Sequence, residues 1–176
     1  AGWAARKTRA TGISLTMHYA SALPALEGIA VDVHYELYDG IPLIVKWISI
    51  ENKSGRTVTI QRVKNEILGV VEEESAVVGN VDKLAVQHGI YFETNYAFNN
   101  AMRYDISDQT LHWRADSSYT SQVNYDLHTP VVAEVYAAKV TGIELGNGNV
   151  FNSIRTHELL IDTYDRLRRE GINAYD

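Results

Sequence analysis

The chain has no cysteine among its 176 residues. That absence excludes a disulfide scaffold, a thiolate nucleophile and a Cys-ligated zinc site. No apolar run approaches the ~18 residues needed to cross a bilayer, so we expect no membrane span. Basic residues are also few, because 16 Lys and Arg stand against 22 Asp and Glu, giving a net charge of −6. This balance argues against a partner such as nucleic acid, which is bound through an overall positive field.

The strongest periodic signal covers residues 29–37, where apolar and polar residues alternate one by one. A strand repeats its faces every two residues, so this pattern places five apolar side chains on one face. Asp39 and Gly40 then predict a turn, and residues 43–50 predict the return strand. Residues 57–60 predict a third strand after a second turn. Together these segments predict an antiparallel meander.

The rest of the chain continues as short β segments separated by turn signals, which favours a sandwich over a layered α/β sheet. We therefore predict a single all-β domain over residues 1–176, with a short C-terminal helix at 162–170. Asp162 caps that helix and Gly171 ends it. Further strands are predicted at residues 13–19, 67–71, 90–94, 111–114, 122–125, 131–137 and 139–145.

Aromatic and amide residues are concentrated between residues 91 and 125. Aromatic rings offer a flat apolar surface, while Asn, Asp and Arg supply oriented hydrogen bonds, a combination typical of a pocket for a polar ligand such as a sugar. The alternative is that tyrosines are good strand residues with one wet edge. The candidate carbohydrate contacts are Asn95, Tyr96, His112, Trp113, Tyr119 and Tyr125.

Residues for metal or acid–base chemistry are not arranged in any recognisable pattern. No pair of histidines has the i, i+4 spacing of a helical zinc motif, and there is no Gly-rich phosphate loop or Gly-x-Ser-x-Gly elbow. Four carboxylates could be paired for glycoside hydrolysis, but nothing in their spacing selects a pair; these are Glu93, Asp105, Asp116 and Glu134. We therefore expect no catalytic residue, metal site or cofactor in this chain.

Several segments resemble a known family. Residues 33–43 (VHYELYDGIPL), with Lys46 and Trp47, look like the N-terminal β-supersandwich domain of α-galactosidase-like glycoside hydrolases. Residues 92–98 (FETNYAF) and 112–113 (HW) are similar to the same domain. Residues 155–169 resemble its exit toward a catalytic barrel.

The resemblance implies a galactose mutarotase-like antiparallel supersandwich that precedes a (β/α) barrel, which would be its partner in the parent chain. In that family the barrel carries the catalytic carboxylates, and the sandwich shapes or supports one side of the site. We therefore expect this chain to be a fragment, inactive by itself, of a periplasmic or secreted protein.

Three functions follow from these observations. The leading one is a non-catalytic module of a glycoside hydrolase-like protein that contacts carbohydrate. The second is an aldose 1-epimerase-like enzyme, in which His88 or His112 would act as the acid and Glu134 as the base. The third is a structural or interaction domain that binds no ligand.

Overall fold

The computed structural model describes residues 10–70, 89–96, 109–115, 131–138 and 140–161. Within these ranges the chain is almost wholly antiparallel β-structure, which confirms the predicted all-β sandwich. A short 3-10 turn lies at Pro24–Leu26. No helix in this part of the chain is long and apolar enough to cross a bilayer. The predicted strand at 122–125 and the predicted helix at 162–170 lie outside the described residues.

Eleven strands make up the described fold. Most of them lie where alternation or a short apolar run predicted them, whereas β10 and β11 were not predicted as strands. In chain order they are β1 (Gly12–Ala20), β2 (Ile29–Tyr38), β3 (Leu43–Asn52), β4 (Val58–Ile60), β5 (Glu66–Val70), β6 (Gly89–Thr94), β7 (Leu111–Ala115), β8 (Val131–Val135), β9 (Ile143–Leu145), β10 (Val150–Asn152) and β11 (Thr156–Ile161).

The large sheet has six strands, in the order β1-β2-β3-β11-β6, and β10 pairs with β3 beside β11. Strands β1 and β2 pair along their whole length, and β2 then pairs with β3. The β2–β3 turn contains Gly40 at φ 81°, a left-handed conformation that residues with a Cβ seldom adopt. The predicted turn at Asp39 and Gly40 is thus confirmed.

The predicted meander is wrong in its third strand. Strand β4 leaves the large sheet and pairs with β9 in a separate two-stranded sheet. The buried side chain of Asn52 explains the change of direction, because its Nδ2 donates hydrogen bonds to the carbonyls of Arg56 and Leu145. The meander consists instead of β1, β2 and β3, and the second neighbour of β3 is β11.

A third sheet, in the order β5-β8-β7, packs against the large sheet. Lys46 Nζ lies 2.8 Å from Glu66 Oε2 across the two sheets, and the rings of Phe92 and Trp113 meet edge to face. One buried apolar cluster lies in the large sheet and comprises Leu43, Val45 and Leu159. The other buried apolar residues lie on or just after β8 and at the end of β9: Val132, Ala133, Val135, Ala137 and Leu145.

Candidate functional site

A cleft of about 390 Å³ opens where the three sheets meet. It is bounded by the β4–β5 connection, by the residues that follow β6, by the β8–β9 connection and by β10 with its link to β11. Each of these segments adjoins a paired strand, so the cleft is built from connections on a β-sheet scaffold, where binding sites commonly lie.

The lining of the cleft mixes apolar and polar side chains. The apolar part includes Ile60, Val63, Val140, Ile143, Phe151 and Ile154. The polar part consists of Arg62, Asn65, Asn95, Tyr96, Asn152 and Ser153. An apolar wall with a few convergent polar groups is typical of a small-molecule site.

Asn65 has the most unusual environment of these polar residues. Its side chain is only 2% exposed, and its Nδ2 donates to the carbonyl of Ile154 and, at 3.4 Å, to Thr156 Oγ1. Its Oδ1 has no hydrogen-bond partner within the described part of the chain. A buried acceptor left unpaired costs about 1–3 kcal/mol. A ligand that donated a hydrogen bond to this oxygen would remove that cost.

Asn95 and Tyr96, both predicted carbohydrate contacts, follow β6 and line the same cleft. The backbone N–H of Asn95 donates to the carbonyl of Arg155 at 3.2 Å, and its Oδ1 accepts from the backbone N–H of Arg155 at 2.7 Å. This pair of bonds fixes the side chain and leaves its NH₂ group available to donate. Tyr96 adds a half-buried aromatic ring to the wall.

Of the other predicted contacts, the described residues His112 and Trp113 do not line the cleft. His112 stacks on Tyr136, with ring centroids 4.0 Å apart, and its Nε2 lies 3.3 Å from the Tyr136 carbonyl. Trp113 points to the opposite face of β7, where half of its surface is exposed. Tyr119 and Tyr125 lie outside the described residues.

A cluster of charges borders the cleft on the side of Arg62. The guanidinium of Arg62 lies 5.0 Å from the centroid of the Tyr136 ring, and Lys64 Nζ lies 5.6 Å from it. Lys64 also bonds to Glu134 Oε2 at 2.8 Å, while Arg114 bonds to the other carboxylate oxygen. The hydrogen bond from Lys64, with the nearby charge of Arg114, lowers the pKa of Glu134 although burial opposes the shift.

A second polar cluster lies on the large sheet and adjoins the cleft wall, because Ser49 Oγ donates to Oδ1 of the cleft residue Asn152 at 2.8 Å. His34 bonds to Thr16 at 3.1 Å and to Ser49 at 2.9 Å, and its ring stacks on Trp47. The guanidinium of Arg155 lies 4.0 Å from the centroid of Trp47. These groups bind one another, so the cluster is best explained as a contribution to the sheet's stability.

Sequence reasoning did not identify Arg62, Asn65 or Phe151 as site residues. The only signal at Asn65 is its position between two charged residues in a segment that joins two strands, which is equally typical of a solvated turn. Phe151 belongs to β10, a strand of three residues that is too short to show alternation. Their convergence depends on how the sheets pair, and that pairing cannot be read along the chain.

The described lining contains hydrogen-bond donors, acceptors and aromatic rings but no Asp, Glu or His. Such a set can orient a polar ligand through hydrogen bonds and ring contacts. Among the described residues no group of three or more His, Cys, Asp or Glu side chains could hold a metal ion. No protein-family model, curated protein or solved structure matches this chain.

Proposed function

We propose that this domain is a non-catalytic module of an α-galactosidase-like glycoside hydrolase, and that it contacts carbohydrate in the cleft. The observation that carries the proposal is the buried, unpartnered Oδ1 of Asn65, a residue that lines the cleft together with Asn95 and Tyr96. Sugars present hydroxyl donors and apolar ring faces, which such groups bind. We also propose that the domain supports a downstream catalytic barrel in the parent chain, as the family resemblance implies.

The aldose 1-epimerase-like alternative requires a free carboxylate base. His112 and Glu134 are direct cross-strand partners of β7 and β8, so they lie close together. However, both carboxylate oxygens of Glu134 are engaged, by Lys64 and by Arg114, and these contacts lower its pKa. A carboxylate held in its ionised form is a weak proton acceptor. This favours a binding function over catalysis at these two residues.

The test is a titration of the 176-residue chain with α- and β-galactosides, in which binding is monitored through changes in NMR chemical shifts. We expect saturable binding, and Tyr96→Ala should weaken it about tenfold because the aromatic wall is lost. Tyr19→Ala is the matched control, since Tyr19 is an exposed tyrosine on β1 outside the cleft. This variant should bind like the unchanged protein.

Two further measurements separate the alternatives. The purified chain should neither hydrolyse an aryl α-galactoside nor accelerate the mutarotation of freshly dissolved α-galactose. Catalysis in either assay, with contaminants excluded, would overturn the proposal in favour of an enzyme. Failure to bind any saccharide in a glycan screen would favour the ligand-free structural domain.

A further inference from the structure

Resting on the carbohydrate-binding function proposed above, we propose that the cleft takes a sugar bearing an anionic group, either a carboxylate or a sulfate ester. The family resemblance implies only a galactose-related ligand. The additional specificity comes from Arg62 on the wall of the cleft and from the charged residues next to it. Arg62 carries the inference, and Lys64 and Arg114 support it.

Arg62 is an exposed cation that lines the cleft. Its guanidinium is held over the ring of Tyr136 at 5.0 Å, and no carboxylate lies within ion-pair distance of it in the described ranges. The contact with the ring restricts the side chain without neutralising its charge. Arg62 therefore presents its N–H donors at the cleft wall in a chain whose net charge is −6.

The surroundings of Arg62 add to this positive field. Lys64 and Arg114 share the single carboxylate of Glu134, so three cations in this cluster face one buried anion. A bound neutral sugar would leave this excess of positive charge uncompensated. An anionic group beside Arg62 would form charge-assisted hydrogen bonds, and a carboxylate matches the planar fork of the guanidinium.

The other end of the ligand is defined by Asn65. Its unpartnered Oδ1 can only accept, so the matching ligand group is a donor such as a hydroxyl. Arg62 and Asn65 lie three positions apart on the same β4–β5 connection and line the same cleft. A ligand that satisfies both carries an anionic group and a hydroxyl. Acidic sugars combine these two groups on one ring.

The experiment compares three ligands that differ only in the anionic group: methyl galactoside, methyl galacturonide and methyl galactoside 6-sulfate. Dissociation constants are measured by NMR titration at low and at physiological ionic strength. We expect one of the acidic ligands to bind about fivefold more tightly than the neutral one at low salt, a factor suited to an exposed ion pair. The preference should shrink as salt is added.

Arg62→Gln should abolish the preference, so that this variant binds the acidic ligands no more tightly than the neutral one. Lys53→Gln removes the same charge from an exposed lysine that pairs with Glu51 outside the cleft, and it should keep the preference. Equal affinity for neutral and acidic ligands would overturn this inference while leaving the carbohydrate-binding proposal intact. A preference that survives Arg62→Gln would also overturn it, and binding of none of the three would count against both proposals.

Discussion

Asn52 and Asn65 are both buried asparagines, but their side chains are used in different ways. Asn52 is completely buried, donates to two carbonyls at 2.7 and 2.8 Å, and accepts from the N–H and the hydroxyl of Ser54. Asn65 donates from its amide nitrogen but accepts from no described residue. A saturated asparagine fixes the fold, whereas one with an open acceptor in a cleft is suited to a ligand.

The largest effect is expected at the saturated residue. Asn52→Ala removes all four hydrogen bonds and leaves the carbonyls of Arg56 and Leu145 without their side-chain donor at a buried corner. We expect the free energy of unfolding to fall by about 3–4 kcal/mol, because stranded buried groups cost more than the bonds themselves contribute. Urea denaturation measures this change.

Asn147→Ala provides the matched control for that prediction. Asn147 is exposed and accepts one hydrogen bond, from the N–H of Gly55 at 2.9 Å. Its removal should cost less than about 1 kcal/mol. If the two substitutions had equal effects, saturation of the Asn52 side chain would not be what stabilises this corner.

The next largest effect on stability is expected at Glu158. Like Asn65, Glu158 has a buried side-chain oxygen without a described partner, but it is not among the residues that line the cleft. Burial and then the carboxylate of Glu66 raise the pKa of Glu158 to about 7, against the effect of Lys46. The ordinary value is 4.5, so between these values the unfolded chain ionises while the folded chain keeps the proton. This group's contribution to stability is complete below pH 4.5 and is lost as pH rises to about 7.

Glu158→Gln keeps the neutral form at every pH. We expect it to be more stable than the unchanged protein by about 2 kcal/mol near pH 8 and equally stable near pH 4. Urea denaturation of both proteins across this range measures the difference. A difference that did not depend on pH would mean that Glu158 is ionised in the fold.

Among the three buried residues, the smallest change in stability is expected for Asn65→Ala. This substitution loses the bonds to Ile154 and Thr156 but also removes the unpartnered oxygen, so we expect a loss of about 1 kcal/mol. Galactoside binding should weaken about tenfold in the same variant. A loss of stability as large as that of Asn52→Ala, or unchanged binding, would remove the distinction between the two asparagines.

Alternation of apolar and polar residues is enough to predict strands that have one polar face. It does not predict β11, which lies inside the large sheet between β3 and β6. Residues 29–37 alternate strictly, and β2 lies there. Strand β11 shows no alternation because both of its faces are covered: Thr156, Glu158 and Leu159 are all buried. The segment therefore carries no periodic signal for a strand, and the family resemblance alone predicts an exit toward a catalytic barrel at residues 155–169.

The residues of the cleft could likewise be predicted only in part from the sequence, because they come from segments far apart along the chain. Asn95 and Tyr96 could be selected from the sequence because aromatic and amide residues are dense around them. Arg62, Asn65 and Phe151 could not, since the β4–β5 connection and β10 lie about ninety positions apart and meet only through sheet pairing. The sequence gives only the net charge of the chain. Which cations are neutralised depends on ion pairs, and these form only in the fold.

The central place of β11 also has a consequence for how the protein is made. Strand β3 is synthesised before its partner β11, which comes more than a hundred positions later, and even Ser153 bonds to Ile48 across 105 positions. Until then the edge of β3 is open, with Leu43 and Val45 lacking the cover of Leu159. Such long-range pairing slows folding and exposes a strand edge to other chains. The nascent chain should therefore depend on chaperones more than its short strands suggest.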